Sequence, residues 1–247
     1  MSGQRVKSLK ESTAPTNHAS LSSLLNPRHK PGKLKHLSLP QEGKNKIAFV
    51  VQNFLSGEEC RRLIAASENS KEGYEVAMVN LGYEQREMLD VRNNYRWIHD
   101  DPLVCDILFK RMRNSLPKEL KKFQQRWKVE GLNERLRFLR YDEGQYFAPH
   151  FDGCFIRRHG KREGDTSFLT VMLYLNEDYE GGATTFLSSS PAENCLAVQP
   201  SEGMLLVFEH RVYHEGSCLE KGRKYAIRSD VMYTCKCSDR SANKQTA

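Results

Sequence analysis

The sequence predicts an α+β protein that is mainly β, with a sandwich or jelly-roll core flanked by N-terminal helices. Two observations carry that expectation. Apolar residues recur at helical spacing only before about residue 134, and beyond it six strand-like runs follow one another: LRFLRY, YFAPHFD, SFLTVMLYLN, ATTFL, GMLLVFEHRVYH and KYAIRSDVMY. Gly144, Gly181-Gly182, Gly203 and Gly222 punctuate these runs as turns. No period repeats along the chain, which excludes solenoids and propellers.

Taken in order, IAFVVQNFLS (47–56) reads as a strand. Ser56 and Glu59 have capping-box spacing, and Cys60, Leu63 and Ile64 continue a helix to about Asn69. YEVAMVN and NNYRWIH read as short strands. Pro102, a favoured first-turn residue, follows Asp101 and opens a second helix through Leu103, Ile107, Leu108 and Met112 to about Leu116. Order is therefore expected over 47–235, with the core at about 134–234 and a short C-terminal tail at 236–247.

Composition bounds the rest. The chain has 247 residues, 38% hydrophobic and 28% charged, enough for one sizeable domain with tails. Its net charge of +7 sits in residues 1–46, which hold nine Lys or Arg against two Glu. That segment is rich in Ser, Pro, Asn and Lys and is expected to be a disordered basic tail. PRHKPGKLKH (27–36) suits nucleic acid, an anionic membrane or nuclear import, or is simply solvated. No run approaches the roughly 20 apolar residues of a membrane span, and MSGQRVKSLK lacks a signal-peptide core, so a soluble cytoplasmic or nuclear protein is expected. Seven cysteines without a C-x-x-C pair fit reduced thiols, Cys235-x-Cys237 included.

YDEGQYFAPHFDG (141–153) is where chemistry enters. Residues at i and i+2 of a strand share a face, so His150 and Asp152 converge, either as a hydrogen-bonded pair or as two ligands of a metal. His214, near the end of GMLLVFEHRVYH, supplies a third ligand; His210 is its rival. Two imidazoles and a carboxylate form the facial triad that leaves positions open on the metal. H-x-D alone is weak, because His99-x-Asp101 repeats it where Asp101 is better explained as a helix N-cap.

From about residue 134 to 234, and less clearly from 47, the chain resembles the prolyl 4-hydroxylase type of iron(II)/2-oxoglutarate-dependent dioxygenase. The matching segments are YDEGQYFAPHFD, LYLNEDYEGGATTF, VQPSEGMLLVFEH and HEGSCLEKGRKY, in that order. The resemblance implies a double-stranded β-helix core, iron(II) on His150, Asp152 and His214, 2-oxoglutarate chelating the metal, O2 as co-substrate and ascorbate as reductant. It implies that Lys224 is the basic partner of the distal 2-oxoglutarate carboxylate and that Tyr141 donates to the same group, with Tyr174 as a further donor. A buried unpaired carboxylate is costly, so a cation there is required. Arg228 shares a strand face with Lys224, about 13 Å along the strand, and its guanidinium would also suit a carboxylate. Only one of the two can serve, and Lys224 is assigned.

The implied activity is hydroxylation of an aliphatic C–H, foremost a prolyl residue of a protein or peptide, with release of succinate and CO2. The alternatives are the same chemistry on a free amino acid or other small molecule, and a non-catalytic metal-binding or sensor module. GCFIRRHGKREGD (153–165) and REMLDVRNNYRW (86–97) are candidate substrate walls, with Arg92 and Asn93 as contacts, suited to an acidic or extended peptide. The neutral remainder of the chain and the lack of an aromatic stacking cluster argue against nucleic acid outside the basic tail.

Overall fold

The computed structural model describes residues 21–80, 82, 84–188 and 195–236. Along the chain run β1 (Leu34–His36), β2 (Ala48–Val51), α1 (Gly57–Glu68), β3 (Glu75–Val76), β4 (Val79–Asn80), β5 (Gln85–Arg86), β6 (Tyr95–Asp100), α2 (Pro102–Met112), β7 (Glu119–Lys122), β8 (Gln125–Leu132), β9 (Arg135–Asp142), β10 (Phe147–His150), β11 (Thr166–Tyr174), β12 (Glu180–Gly181), β13 (Thr184–Phe186), β14 (Leu196–Val198), β15 (Leu205–Glu209), β16 (His214–Gly216), β17 (Leu219–Lys221) and β18 (Arg223–Cys235). The large antiparallel sheet has the order β1-β2-β15-β11-β18-β9-β6-β3, with β8 on the far half of β18 and β7 on β8. A smaller sheet, β10-β16-β13-β14, lies across it.

Alternation along the strands separates two cores. One face of the large sheet meets the small sheet through Val50, Leu139, Met172, Leu206 and Phe208, and Phe186 of β13 stands edge-on to Phe208 at 5.2 Å. The opposite face, through Phe49, Val51, Val171, Leu173, Val207 and Ile227, is covered by α1 and α2 with Leu63, Val104, Leu108 and Met112. Each such side chain, fully buried, contributes about 1.5–3 kcal/mol of transfer free energy, so the helices are held by burial. This is the mainly-β, double-stranded β-helix arrangement, with both helices packed on one face of the large sheet.

The helix ends follow their sequence signals. Ser56 and Glu59 form the reciprocal capping box, and the Asp101 side chain accepts from Leu103 N and Val104 N with Pro102 in the first turn. Asp101 is thus occupied as a cap, and among the described residues the second H-x-D pair joins no metal-ligand cluster. α2 ends at Met112 and continues as a 3-10 turn to Ser115.

Three expectations need correction. Residues 21–46 are packed: β1 pairs with β2, Leu25 is buried in the helix-side core, and Asn26 N donates to Glu59. Scattered leucines within a polar average supply the burial that composition hid. Residues 1–20 of the expected tail, and 237–247 at the other end, lie outside the described residues, Cys237 among them. The large sheet also reaches back beyond the core expected at about 134–234, because β1, β2, β3 and β6 are among its strands. Finally, the apolar strand before His214 ends at Glu209; a turn intervenes and His214 opens β16. No helix among the described residues is long and apolar enough to cross a membrane.

Gly203 ties the turn that follows β2 to the start of β15. Its carbonyl accepts from Phe54 N and Leu55 N at 2.8 and 3.0 Å, its φ is +73°, and a Cβ there would lie 2.1 Å from the Leu55 carbonyl oxygen. Gly203→Ala is expected to cost at least about 1–3 kcal/mol through backbone strain and displacement. Urea unfolding measures this, and a variant within a few tenths of wild type would refute the account.

Candidate active site

The central geometry is a cross-strand pair. In the antiparallel β10–β16 ladder, His150 and His214 are directly opposed, with ring centroids 4.3 Å apart. β10 stops at His150, so Asp152 is not carried by the strand that was expected to hold it. The chain turns instead, and Asp152 N donates to the His210 carbonyl at 3.0 Å. The carboxylate is thereby returned to the imidazoles: Asp152 Oδ1 is 3.9 Å from His150 Nε2 and Oδ2 is 3.8 Å from His214 Nε2. One ligand atom from each of the three residues lies within 4.8 Å of the others.

Each imidazole is oriented by its own backbone. His150 Nδ1–H donates to the Ala148 carbonyl at 2.8 Å and His214 Nδ1–H to the Val212 carbonyl at 2.9 Å. A carbonyl can only accept, so the proton belongs on Nδ1 and the Nε2 lone pair faces the common point. Burial, then the neighbouring His214, push His150 down to about 4. Burial likewise lowers His214. Both rings are neutral at ordinary pH, as metal ligation requires. Phe147 stacks on His150 at 3.7 Å and carries the Arg92 guanidinium on its other side at 4.5 Å.

Asp152 is held ionised. Burial opposes its charge, but Arg228 Nη2 at 2.8 Å, with the two imidazoles, keeps the carboxyl far below the usual range. Thr170 donates to its Oδ2 at 2.5 Å. Arg228 also reaches Asp230 at 3.3 Å, so this guanidinium is engaged with the triad's carboxylate network. His210, the rival ligand, faces away: its Nε2 is 3.5 Å from Asp230. Burial lowers its pKa, but Asp230 and Cys154 more than compensate, and it is raised to about 9.

Behind the triad a narrow cleft runs inward, with Arg92, Tyr141, Thr170, Thr184 and Lys224 in its walls. Lys224 is 3% exposed. Its ammonium donates to the Gly182 carbonyl at 2.5 Å and sits over the Tyr141 and Tyr174 rings at 5.2 and 5.3 Å. Among the described residues no carboxylate pairs with it, and burial alone drags its pKa down to about 7. Tyr141 is buried beside the Arg92 guanidinium; burial raises its phenol and Arg92 draws it back. Tyr174 stands behind the wall, with its hydroxyl on Thr184 Oγ1 at 2.7 Å. Gly182, whose pair with Gly181 reads in the sequence as a turn, supplies the carbonyl for Lys224, and a Cβ there would meet Lys224 Cδ at 3.3 Å.

Of the two substrate candidates, Arg92 lines this cleft and the neighbouring one. Asn93 lines neither; its Oδ1 accepts from Tyr146 N and fastens the segment to β10. In the 153–165 loop, Arg157 and Arg162 pair with Glu134, leaving Gly153, Cys154 and Phe155 on the cleft. Thr170 and Thr184 escaped sequence reasoning. The signal for Thr170 was available: with Met172 and Tyr174 it shares the inward face of β11.

The donor set fits iron(II): two neutral imidazoles and an ionised carboxylate, all oriented from behind, are the nitrogen and oxygen ligands of a facial triad. Lys224 fits an anionic ligand in the same cleft, since a buried ammonium without a counter-ion lacks the partner that burial demands.

Comparison with known proteins agrees. Residues 136–229 match the 2OG-Fe(II) oxygenase superfamily. Prolyl 4-hydroxylase 2 of Arabidopsis thaliana is 30% identical over 77% of this chain and 62% of its own length. Probable prolyl 4-hydroxylase 6 of the same plant is 28% identical over 65% and 57%. The chain thus spans about three fifths of these relatives. Among solved structures, a prolyl hydroxylase of Trichoplax adhaerens, in complex with a hypoxia inducible factor oxygen degradation domain peptide fragment, shares the fold at a TM-score of 0.54. Its identity is 18%, over 74% of this chain and 82% of that one.

Removing Asp152 should abolish the centre. Asp152→Ala is expected to weaken cobalt(II) or iron(II) binding by roughly a hundredfold or more, and Thr170→Val by about tenfold, since outer partners of a ligand typically count for 10–100-fold. Isothermal titration calorimetry decides, and unchanged affinity in Asp152→Ala would remove the triad.

Proposed function

We propose, from the match of residues 136–229 to the 2OG-Fe(II) oxygenase superfamily and the likeness to prolyl 4-hydroxylases, that this chain is an iron(II)- and 2-oxoglutarate-dependent dioxygenase hydroxylating a prolyl residue of a protein or peptide. The observation that carries this reading is the coexistence, in one cleft, of an oriented His150–Asp152–His214 triad with a buried Lys224 lacking a carboxylate partner. A purely structural metal site would need no cation at its inner end. The peptide complex of the Trichoplax relative supports a peptide substrate here. The catalytic unit is assigned to residues 47–235, with residues 21–46 packed upon it.

Iron(II) held by the triad, with 2-oxoglutarate and O2, supplies the oxidising power to hydroxylate an aliphatic C–H, with succinate and CO2 as co-products and ascorbate as reductant. The chain's own residues bind and orient. Lys224 takes the distal carboxylate of the co-substrate, with Tyr141 as a donor to it. Tyr174 braces Thr184 on the wall of the cleft. Arg228 is assigned to Asp152 instead, keeping the ligand ionised before any metal arrives. Phe147 and Phe208, against His150 and His214 at 3.7 and 4.6 Å, shield the imidazoles from water and fix their planes.

Two outcomes test this. With iron(II), ascorbate and oxygen, the wild-type protein should convert 2-oxoglutarate to succinate, and His150→Ala should not. Absence of both succinate and co-substrate binding in wild type would end the reading. Lys224 provides a pH test: a free lysine keeps its proton to about 10.4, whereas Lys224 releases it near 7. An anionic co-substrate binds the protonated amine, so affinity should fall as pH rises from about 7 to 9, approaching tenfold per unit. Calorimetry in buffers of different ionisation enthalpy should show uptake approaching one proton at pH 8–9. A flat profile would exclude Lys224 as the partner.

A further inference from the structure

Outside the triad a second, open cleft adjoins His150 and Asp152. Its walls contain four guanidiniums, Arg92, Arg96, Arg137 and Arg228, against two carboxylates, Asp152 and Asp230. Strand register explains the convergence. Arg137 of β9 is opposite both Arg228 of β18 and Ile98 of β6, and Arg96 of β6 is opposite Leu139 of β9. All therefore belong to the inward face.

The charges do not balance. Asp152 is the proposed metal ligand and already bonds Arg228. Asp230 is shared by Arg137 at 3.4 Å, Arg228 at 3.3 Å and His210 at 3.5 Å. Arg92, 7% exposed, donates through Nε to Asn94 Oδ1. Arg96, 5% exposed, donates to Gln85 Oε1 at 3.3 Å, and its buried Nε has no hydrogen-bond partner among the described residues. Burial lowers the pKa of both guanidiniums, outweighing the Tyr141 phenol and Asp152, in whose field Arg92 lies, and, for Arg96, the charge of Glu75, its partner across the β3–β6 pair. Arg137 has only a share of Asp230 and Arg96 has no carboxylate among the cleft's lining residues to itself, so this wall keeps an excess of positive charge that suits an anion.

Resting on the oxygenase reading above, we infer that this cleft is the substrate subsite and takes an acidic peptide, with a carboxylate side chain near the hydroxylated residue docking on Arg96 and Arg137. A guanidinium suits a carboxylate by its planar fork of donors. The surface beyond favours a peptide over a free acid. The cleft reaches Phe151, 55% exposed, whose ring meets Tyr213 at 4.9 Å, and there a largely apolar groove continues past Val212 and Leu187. An extended segment spans both, and a single small acid does not.

The test uses fluorescein-labelled proline peptides differing at one flanking position, Glu, Gln or Lys. Their binding to the full chain is read by anisotropy, with zinc and 2-oxoglutarate present to prevent turnover. The Glu peptide should bind at least about tenfold tighter than the Gln peptide, with Lys weakest and the advantage shrinking as salt rises. Arg96→Gln and Arg137→Gln should reduce the Glu-to-Gln ratio below about threefold, while Arg96→Lys retains most of it. Equal wild-type affinities for the three peptides would overturn the inference whether or not the variants fold. Free glutamate competing as strongly as the Glu peptide would overturn the assignment to a peptide. Metal and 2-oxoglutarate binding, measured on the same wild-type sample, reports separately on the oxygenase reading: its loss sinks that reading, while equal peptide affinities with cofactor binding intact sink only the acidic-peptide subsite.

Discussion

The organisation of the site depends on one cation placed between two buried carboxylates. Arg228 reaches Asp152 at 2.8 Å and Asp230 at 3.3 Å. Taking either acid out of water without that guanidinium would favour its neutral form, and a protonated Asp152 is no anionic ligand. Breaking a buried pair leaves an uncompensated charge, far costlier than the pair's net worth. Everything else about the triad can be arranged around an aspartate that is already ionised.

The same strand that carries Arg228 carries the opposite solution four residues earlier. Lys224 is buried with a single carbonyl and two aromatic faces for company, and its lowered pKa records the missing counter-ion. One inward face of β18 thus presents a satisfied cation at the metal and an unsatisfied one deeper in the cleft. In the proposed reaction this division lets the protein hold its metal ligand ready while leaving a vacancy of charge for the co-substrate. Outside the triad, Arg96 on β6, one strand beyond β9, adds a further buried cation, which gives the two clefts a common electrostatic character on either side of one centre.

Much of this was legible from the residues. The alternation of apolar positions, the Ser56–Glu59 box and the Asp101–Pro102 start are local signals, and local geometry obeys them. His150, Asp152, His214 and Lys224 stand out because buried strands seldom carry such groups without a partner. What misled was the average: residues 21–46 look polar as a block, yet Leu25 and β1 find complementary surface on the helices and on β2. The same limit applies to Asp152, whose return to the imidazoles depends on a bond to the His210 carbonyl, 58 residues away in the chain.

By itself the sequence determined the mainly-β class, the helix starts and the residue types able to bind a metal and an acid, because these follow from short-range periodicity and side-chain chemistry. Only the tertiary structure decided which of the two cations of β18 pairs with Asp152. Lys224 and Arg228 share a face and a charge, and no local rule separates them. The register of β18 against β9 and β11 does, setting Lys224 beside Tyr141 and Arg228 beside Met172. It also gathered Arg96 and Arg137 from separate strands, since long-range pairing, absent from any window of sequence, is what brings distant charges into one cleft.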